Sequence, residues 1–482
     1  MTSRALANAV PAPYWLDRPE RPVARPRLVD DVEADLVVVG AGFTGLWAAL
    51  QAVEADPTRQ VVLLEGDRIA EGATGRNGGF CAASLTHGLG NGLERFAAEM
   101  PTLLRMGAQT LDAIEDAIRR HGIACDFERT GELDVAVARW QVEGLAEQYR
   151  LGTELGLDLR LLDTDEVRAE VASPTYLSGV YDPDGVAMLD PARLAWGLAA
   201  ALERLGVVIH EHSRVDDLAL DGPGVRVTTA HGTVRAAQVL LATAASPPVL
   251  RRISAYVVPV WDYALMTEPL PADVRASLGW AGRQGIGDAG NQFHYYRLTS
   301  GSLPGDSGGS SPPEGQSAQG ERLLFGGYDA LYFAGGKTDP RLAQHPRTFA
   351  LLAEHLVQTF PQLADVAISH AWGGTIDTCS RFSPFWGQAL RGRVAYVLGF
   401  TGLGVGASHF GARTALDLLD GRDTERTRLA MVRGKPLPFP PEPVRWAGIQ
   451  LTRRALAAAD EHEGRRGPWL RTLDRLGMGF DS

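Results

Sequence analysis

The stretch Asp35-Leu-Val-Val-Val-Gly40-Ala-Gly42-Phe43-Thr44-Gly45-Leu-Trp-Ala-Ala-Leu50, continued by Gln60-Val-Val-Leu-Leu-Glu65, decides the fold. It reads as a strand, a glycine turn, a helix, a second strand and a terminal acid. Gly40 permits a tight turn, Gly42 lets the backbone approach a pyrophosphate, and Gly45 lets the helix pack on the strands. The helix beginning near Phe43 and Thr44 presents free N–H groups and its positive dipole end to phosphates. Glu65 stands where an acid accepts hydrogen bonds from ribose hydroxyls. A Gly-x-Gly-x-x-Gly alone is a weak signal. Both flanking strands and the spaced acid make it a dinucleotide site.

The next segment favours FAD over NAD. Gly66-Asp-Arg68-Ile-Ala-Glu-Gly-Ala73-Thr74-Gly-Arg76-Asn77-Gly78-Gly79-Phe80 is rich in glycine, amide and cation. An NAD-binding unit usually proceeds directly into another helix. This segment reads instead as a loop laid along an extended ligand, Arg76 and Asn77 offering donors to flavin or pyrophosphate oxygens. The apolar run Phe80-Cys-Ala-Ala83 marks a buried continuation.

Ala73 to Gly79 resembles the corresponding stretch of the D-amino-acid-oxidase-like FAD-dependent oxidoreductases, nearest their γ-glutamylputrescine oxidase branch. Further resemblances lie at Val239-Leu-Leu-Ala242-Thr243-Ala244, at Val257 to Leu270 and at His294 to Leu298 with Leu323 to Gly327. Trp372 to Asp377 and Gly399-Phe-Thr-Gly402-Leu403-Gly404-Val405-Gly406 complete the pattern, which covers roughly residues 30 to 430. The resemblance implies an α/β fold: a Rossmann-like, glutathione-reductase-like FAD domain interleaved with an antiparallel-sheet α+β substrate domain. It extends cofactor contact to Arg68, Ala73, Thr74, Gly78, Gly79, Phe80, Ala242, Thr243 and Gly399, and places Val215 against the adenine.

The expected FAD domain comprises 31–99, 175–250 and 372–432, and the substrate domain 100–174 and 251–371. A Gly/Ser/Pro-rich insertion at 300–320 has nothing to bury and is expected to be disordered between two hairpin strands. Residues 433–482 form a proline-rich connector and an amphipathic helix near Ile449 to Ala459, whose Arg453 and Arg454 lie on a solvated face or a subunit contact. Residues 11–30, with five prolines among charges, read as an extended arm. Helices are expected over 101–121 and from Asp190-Pro191 to about Leu205.

A net charge of −11 argues against nucleic acid or an anionic membrane as main partner. Cys81, Cys125 and Cys379 are widely spaced and form no Cys-x-x-Cys, so neither a disulfide framework nor a metal site is expected. No apolar run is long enough to span a membrane. These features fit a cytoplasmic enzyme; its oligomeric state stays open.

The Gly402-Leu403-Gly404-Val405 turn, between the strand Val394–Leu398 and a helix over Ser408–Leu419, aims N–H groups at anionic charge near the flavin N1 and C2 oxygen. The resemblance implies oxidation of a C–N bond in an amine or amino acid, with oxygen or another acceptor taking the electrons. Tyr263, His294, Tyr296, Asp377 and Arg381 are the candidate pocket residues. His294 could equally be a sheet histidine bonded to backbone, and Tyr263 and Tyr296 packing aromatics. Arg381 could clamp a carboxylate or be exposed beside Ser383-Pro384. Asp377 could attract an ammonium or cap a turn. Two departures from relatives stand out: Leu403 replaces a histidine, and the strand Leu323–Gly327 lacks an oxygen-activating lysine. Noncovalent FAD is expected, since Cys379 is poorly placed for a covalent link. A second enzymatic reading is an FAD-linked dehydrogenase of a hydroxy acid or sugar alcohol, passing electrons to a quinone or carrier. A vestigial, non-catalytic nucleotide-fold carrier is disfavoured by the intact glycine motif.

Overall fold

The computed structural model describes residues 2–299, 320–476 and 478. Apart from Gly320, the expected 300–320 insertion lies outside the described residues. Strands are numbered along the chain, as are the helices longer than twelve residues. The first sheet runs in the order β17 (Phe385–Ala389), β18 (Val394–Leu398), β11 (Thr233–Leu241), β1 (Asp31–Val39), β2 (Val61–Leu64), β8 (Val208–His210). From β18 to β8 its neighbours are parallel, and β17 closes the edge antiparallel. β9 (Val215–Asp221) and β10 (Gly224–Thr229) extend it as an antiparallel arm on β11.

The middle strands carry the apolar runs expected of a sheet covered on both faces. Leu36 and Val38 face one core, with helices α1 (Phe43–Ala55), α4 (Pro191–Arg204) and α6 (Gly404–Leu419); Val37 and Val39 face another. The chain leaves β1 for β2 on one side while β11 lies on the other. The crevice at the end of β1 is therefore a topological switch point, where ligands of such sheets bind. Asp190 caps α4 by accepting from the Arg193 N–H at 3.0 Å, as the Asp-Pro pair predicts.

The second sheet runs β16 (Ile368–Thr378), β12 (Val258–Thr267), β15 (Leu323–Gly327), β14 (His294–Leu298), β13 (Gly285–Asp288), β4 (Glu132–Ala136), β6 (Ser178–Asp182), β5 (Arg160–Leu162). All pairs are antiparallel except β13 with β4. Its far face packs on helix α5 (Pro346–Thr359). Its near face meets the first core, to which it contributes Ala264, Met266, Leu324 and Trp372. A two-stranded ribbon, β3 (Phe80–Ala82) with β7 (Val186–Met188), lies between the sheets.

Several boundaries differ from the sequence-based expectation. Residues 372–378 end β16, and 178–182 form β6, so both belong to the second sheet. Helix α2 (Met100–His121) packs through Leu103, Met106, Leu111 and Ile114 into the first core. These segments are apolar whichever unit they serve, so pattern alone does not assign them. The helix after Gly402 begins at Gly404, four residues before Ser408. Residues 11–30, expected as an extended arm, are docked on the molecule: Trp15 and Leu16 are buried. The C-terminal helix, α7 (Val444–Glu461), is docked too. Its Arg453 pairs with Asp329, and Asp460 accepts the Asn291 and Gln292 N–H groups, both at 3.0 Å.

Candidate active site

The turn after β1 is built as the glycine spacing requires. Gly40 has φ of +102°, and a Cβ there would lie 2.5 Å from the Ala242 carbonyl oxygen. A Cβ on Gly45 would lie 1.8 Å from the Gly40 carbonyl oxygen, so only glycine lets α1 start this close to β1. Thr74 caps the helix, its hydroxyl accepting from the Phe43 N–H at 3.0 Å. Among the described residues, the N–H groups of Gly42 and Thr44 meet no acceptor. Glu65 directly follows β2 and accepts from the Ala41 N–H at 2.7 Å and the Asp67 N–H at 2.9 Å. Burial raises its pKa, opposed by those bonds. Ser213 donates its N–H to the Glu65 carbonyl at 2.7 Å, which brings the start of β9 at Val215 alongside.

The second helix entrance opens on the same edge of the sheet, because β18 runs parallel to β11 and β1. Buried Asp377 organises it: one carboxylate oxygen accepts the Gly399 N–H at 2.7 Å and the Phe400 N–H at 3.3 Å. Burial pushes this carboxyl up to about 6. Thr401 and Gly402 then turn with positive φ, and Leu403 precedes the first residue of α6. A Cβ on Gly402 would meet nothing within 4 Å, whereas one on Gly406 would strike the Ala82 carbonyl at 2.1 Å. The α6 entrance therefore opens at Gly402 and is pressed against β3 at Gly406.

Between these entrances runs the 66–80 loop. Arg76 donates to the Glu71 carbonyl at 2.8 Å and the Gly373 carbonyl at 3.1 Å, and Trp372 donates to the Arg76 carbonyl at 2.9 Å. Asn77 donates to the Thr74 carbonyl at 2.7 Å and accepts from Gly79 at 2.8 Å. Both side chains hold the loop together, and Arg76 also ties it to the second sheet at Gly373. Gly78 lets that sheet come close, since a Cβ there would lie 2.9 Å from the Tyr295 ring.

The candidate pocket residues do not form one group. Tyr263 donates to the Leu342 carbonyl at 2.9 Å, and the Tyr296 hydroxyl meets that of Tyr176 at 2.8 Å. Both rings sit in the core on the far face of the second sheet. His294 also lies there, bonded to Asp288 at 2.6 Å and His355 at 2.9 Å. Arg381 is buried rather than exposed, and its guanidinium donates to the carbonyls of Ser383, Pro384, Met431 and Gly434. That leaves it committed to backbone, not poised as a carboxylate clamp. Asp377 anchors the Gly399 loop.

The residues that face the loop are the neighbours of those chosen. Side chains alternate along a strand, so Asp262 and Tyr295 point away from Tyr263 and Tyr296. Tyr295 donates to Asp262 at 2.8 Å. Burial lifts the Asp262 carboxyl to about 6, against the hydrogen bond from Tyr295. Opposite Asp262 stands Gly374, over which the Arg76 stem packs, and opposite Tyr295 stands Gly326, over which the Tyr295 ring itself lies: a Cβ there would come 3.0 Å from the Arg76 Cβ and 2.7 Å from the Tyr295 ring, respectively. A signal was present in the sequence: Asp262 is the single charge in the strand Val258–Thr267.

A model of the FAD dependent oxidoreductase family matches residues 35–418, and the chain belongs to this family. It is 33% identical over 406 residues to gamma-glutamylputrescine oxidoreductase of Escherichia coli, covering 83% of this chain and 86% of that one. It is 28% identical over 433 residues to the probable oxidoreductase OrdL of Haemophilus influenzae, covering 88% and 91%. Among solved structures, glycine oxidase of Geobacillus kaustophilus superposes with a TM-score of 0.65 at 19% identity, covering 84% of this chain and 99% of that one. The protein is an FAD-dependent oxidoreductase. The two open helix entrances, the glycine cradle and the acid at the end of β2 fit that cofactor. Among the described residues no helix is long and apolar enough to cross a membrane.

Proposed function

We propose that the protein oxidises the C–N bond of a positively charged amine, with Asp262 and Tyr295 holding the substrate. The observation that carries this reading is the Asp262–Tyr295 pair, turned toward the 66–80 loop beside two glycines. The name of the Escherichia coli relative points to an amine substrate as well. A carboxylate attracts an ammonium and repels a carboxylate. Of the arginines that could have answered a substrate carboxylate, Arg297 and Arg381 are directed at backbone carbonyls, and Arg76 at two carbonyls and the Glu71 carboxylate.

When bound, FAD would supply the two-electron acceptor, flavin N5; the ammonium held at Asp262 first gives up a proton to solvent, since only the neutral amine has the lone pair that replaces the hydride leaving the adjacent carbon. The chain would hold the cofactor through Gly40–Gly45, Glu65, Ala73–Phe80, Ala242, Thr243, Val215 and Gly399–Val405. Asp262 still has acceptor capacity beyond its bond from Tyr295, and draws the amine to the face of the sheet that meets the 66–80 loop. The oxidised substrate is an imine, which water converts to a carbonyl compound and ammonia, or an amine where the substrate nitrogen carries a second carbon. We place the enzyme in the cytoplasm on its three buried, unpaired thiols. For the acceptor, the strand Leu323–Gly327 carries no cation, and we expect slow reoxidation by oxygen.

Anaerobic mixing with amines, amino acids and hydroxy acids, followed by flavin absorbance, tests the reading. Cationic amines should bleach the colour. Bleaching by hydroxy acids alone would overturn it. Rapid reoxidation with stoichiometric peroxide would make the enzyme an oxidase instead.

A further inference from the structure

Residues 13–28, which precede the segment matched by the family model, read Pro-Tyr-Trp15-Leu16-Asp-Arg18-Pro-Glu-Arg21-Pro-Val-Ala-Arg25-Pro-Arg-Leu28. Three Arg-Pro steps recur here, and each arginine reaches a different acid. Arg18 pairs with Asp190 at the start of α4, and Arg21 with Glu71 in the nucleotide loop. Arg25 pairs with Glu203 at 3.0 Å, near the end of α4. Proline fixes φ at each step, so the segment loses little entropy when it lies extended.

The segment crosses the outside of the 66–79 loop from one sheet to the other. It starts on the second sheet, where Val10 donates to the Ser369 carbonyl at 2.7 Å and accepts from Ala371 at 3.0 Å. Trp15 is buried, and its indole N–H donates to the Asn77 carbonyl at 2.8 Å. Leu16 sits on Gly75, where a Cβ would come within 2.7 Å of its Cδ2. Arg68 reaches the Pro22 carbonyl. Buried Glu211 joins the two segments: it accepts from the Arg25 N–H at 2.6 Å and from the Ile69 N–H at 2.7 Å. The segment ends against the first sheet, where the Leu28 N–H donates to Ser213 at 2.9 Å. The loop it covers holds five glycines, at 66, 72, 75, 78 and 79, and little regular structure, so it does not stiffen itself.

We propose that residues 13–28 are a strap that holds the nucleotide loop closed over bound FAD, with Trp15 and Glu211 as its positioning residues. Among the described residues no hydrogen bond joins the strap to the glycine turn after β1. The strap acts through the loop, which must move outward for the cofactor to leave. Linkage makes the effect reciprocal: whatever the strap contributes to FAD retention, bound FAD contributes to strap docking.

The test uses the full chain loaded with FAD. Release is followed by the rise in flavin fluorescence after dilution, and amide hydrogen exchange over 13–28 is compared with and without FAD. Trp15→Ala should speed release tenfold or more. Trp15→Phe, which keeps a ring but loses the bond to Asn77, should speed it about threefold, and FAD should slow exchange of the strap at least tenfold. Release within twofold of the parent, with strap exchange indifferent to FAD, would overturn the proposal even if the apoprotein melts lower. Should Trp15→Ala fail to fold, Trp15→Phe and Arg18→Gln are judged by the same two readouts.

Discussion

The turn after β1 and the middle of the second sheet respond differently to the same kind of reading. At the turn, function depends on backbone, and three glycines at fixed spacing state it directly: a Cβ at Gly40 or Gly45 would collide with a carbonyl oxygen. In the second sheet, function depends on which way a side chain points. There a shift of one residue exchanges one face for the other. Tyr263 and Tyr296 are large, polar-tipped and well placed in sequence, yet they face the core, while Asp262 and Tyr295 face the nucleotide loop. Both faces of β12 are buried, so no polar–apolar alternation sets the parity.

A side chain placed where only backbone fits should have the largest effect. Gly45→Val should abolish FAD loading, because its Cβ would sit 1.8 Å from a carbonyl oxygen that cannot move without β1. Gly72→Ala is the control, since a Cβ there meets nothing within 4 Å; it should stay within about 0.5 kcal/mol of the parent. Flavin content after purification reads both. A yellow Gly45→Val protein would mean that α1 does not start where the close contact requires.

Glu65→Ala comes next. Its carboxylate orders the Ala41 and Asp67 N–H groups and stands at the ribose position. Removing a charged acceptor should cost roughly 1.5–3 kcal/mol of FAD binding. Titration of apoprotein with FAD measures it, and unchanged affinity would remove Glu65 from the cofactor site.

Substitutions on the second sheet sharpen the parity argument. Asp262→Asn should weaken binding of a non-reacting cationic amine by about 1–2 kcal/mol, the upper part of the range being lost to solvent screening of a half-buried carboxylate. Tyr263→Phe and Tyr296→Phe each remove one hydrogen bond on the far face and should cost about 1 kcal/mol of stability without altering amine binding. Equal effects on binding from both pairs would show that the two faces do not divide the work.

How much could be read beforehand follows the same physics. The cofactor, the glycine turn and the Asp190 cap were legible because each is written in local backbone demands. The strap was visible only as prolines and charges: the acids that meet Arg18 and Arg25 lie more than 170 residues away, at Asp190 and Glu203. Arg381 and Asp377 were found as notable residues but not in their roles. Their partners are carbonyls and N–H groups of other segments, which sequence does not pair.

The smallest expected effect is the pH dependence of amine binding. Burial lifts Asp262 to about 6, so the carboxyl is mostly neutral at pH 5 and mostly ionised at pH 7. Only the ionised form attracts an ammonium, so affinity for a non-reacting amine should rise about tenfold over that interval and then level off. The opposite sign applies to stability. The folded site holds its proton more tightly than an ordinary aspartate, so this group stabilises the fold at low pH and loses that contribution as pH rises to about 6. Asp377 titrates in the same window, which makes stability unable to separate the two. Binding does separate them, because Asp377 anchors the Gly399 loop while Asp262, bonded by Tyr295, faces the nucleotide loop. Asp262→Asn should flatten the binding profile and leave the Asp377 share of the stability profile in place. A profile that keeps its tenfold rise in Asp262→Asn would assign the titration to another group and take the amine away from Asp262.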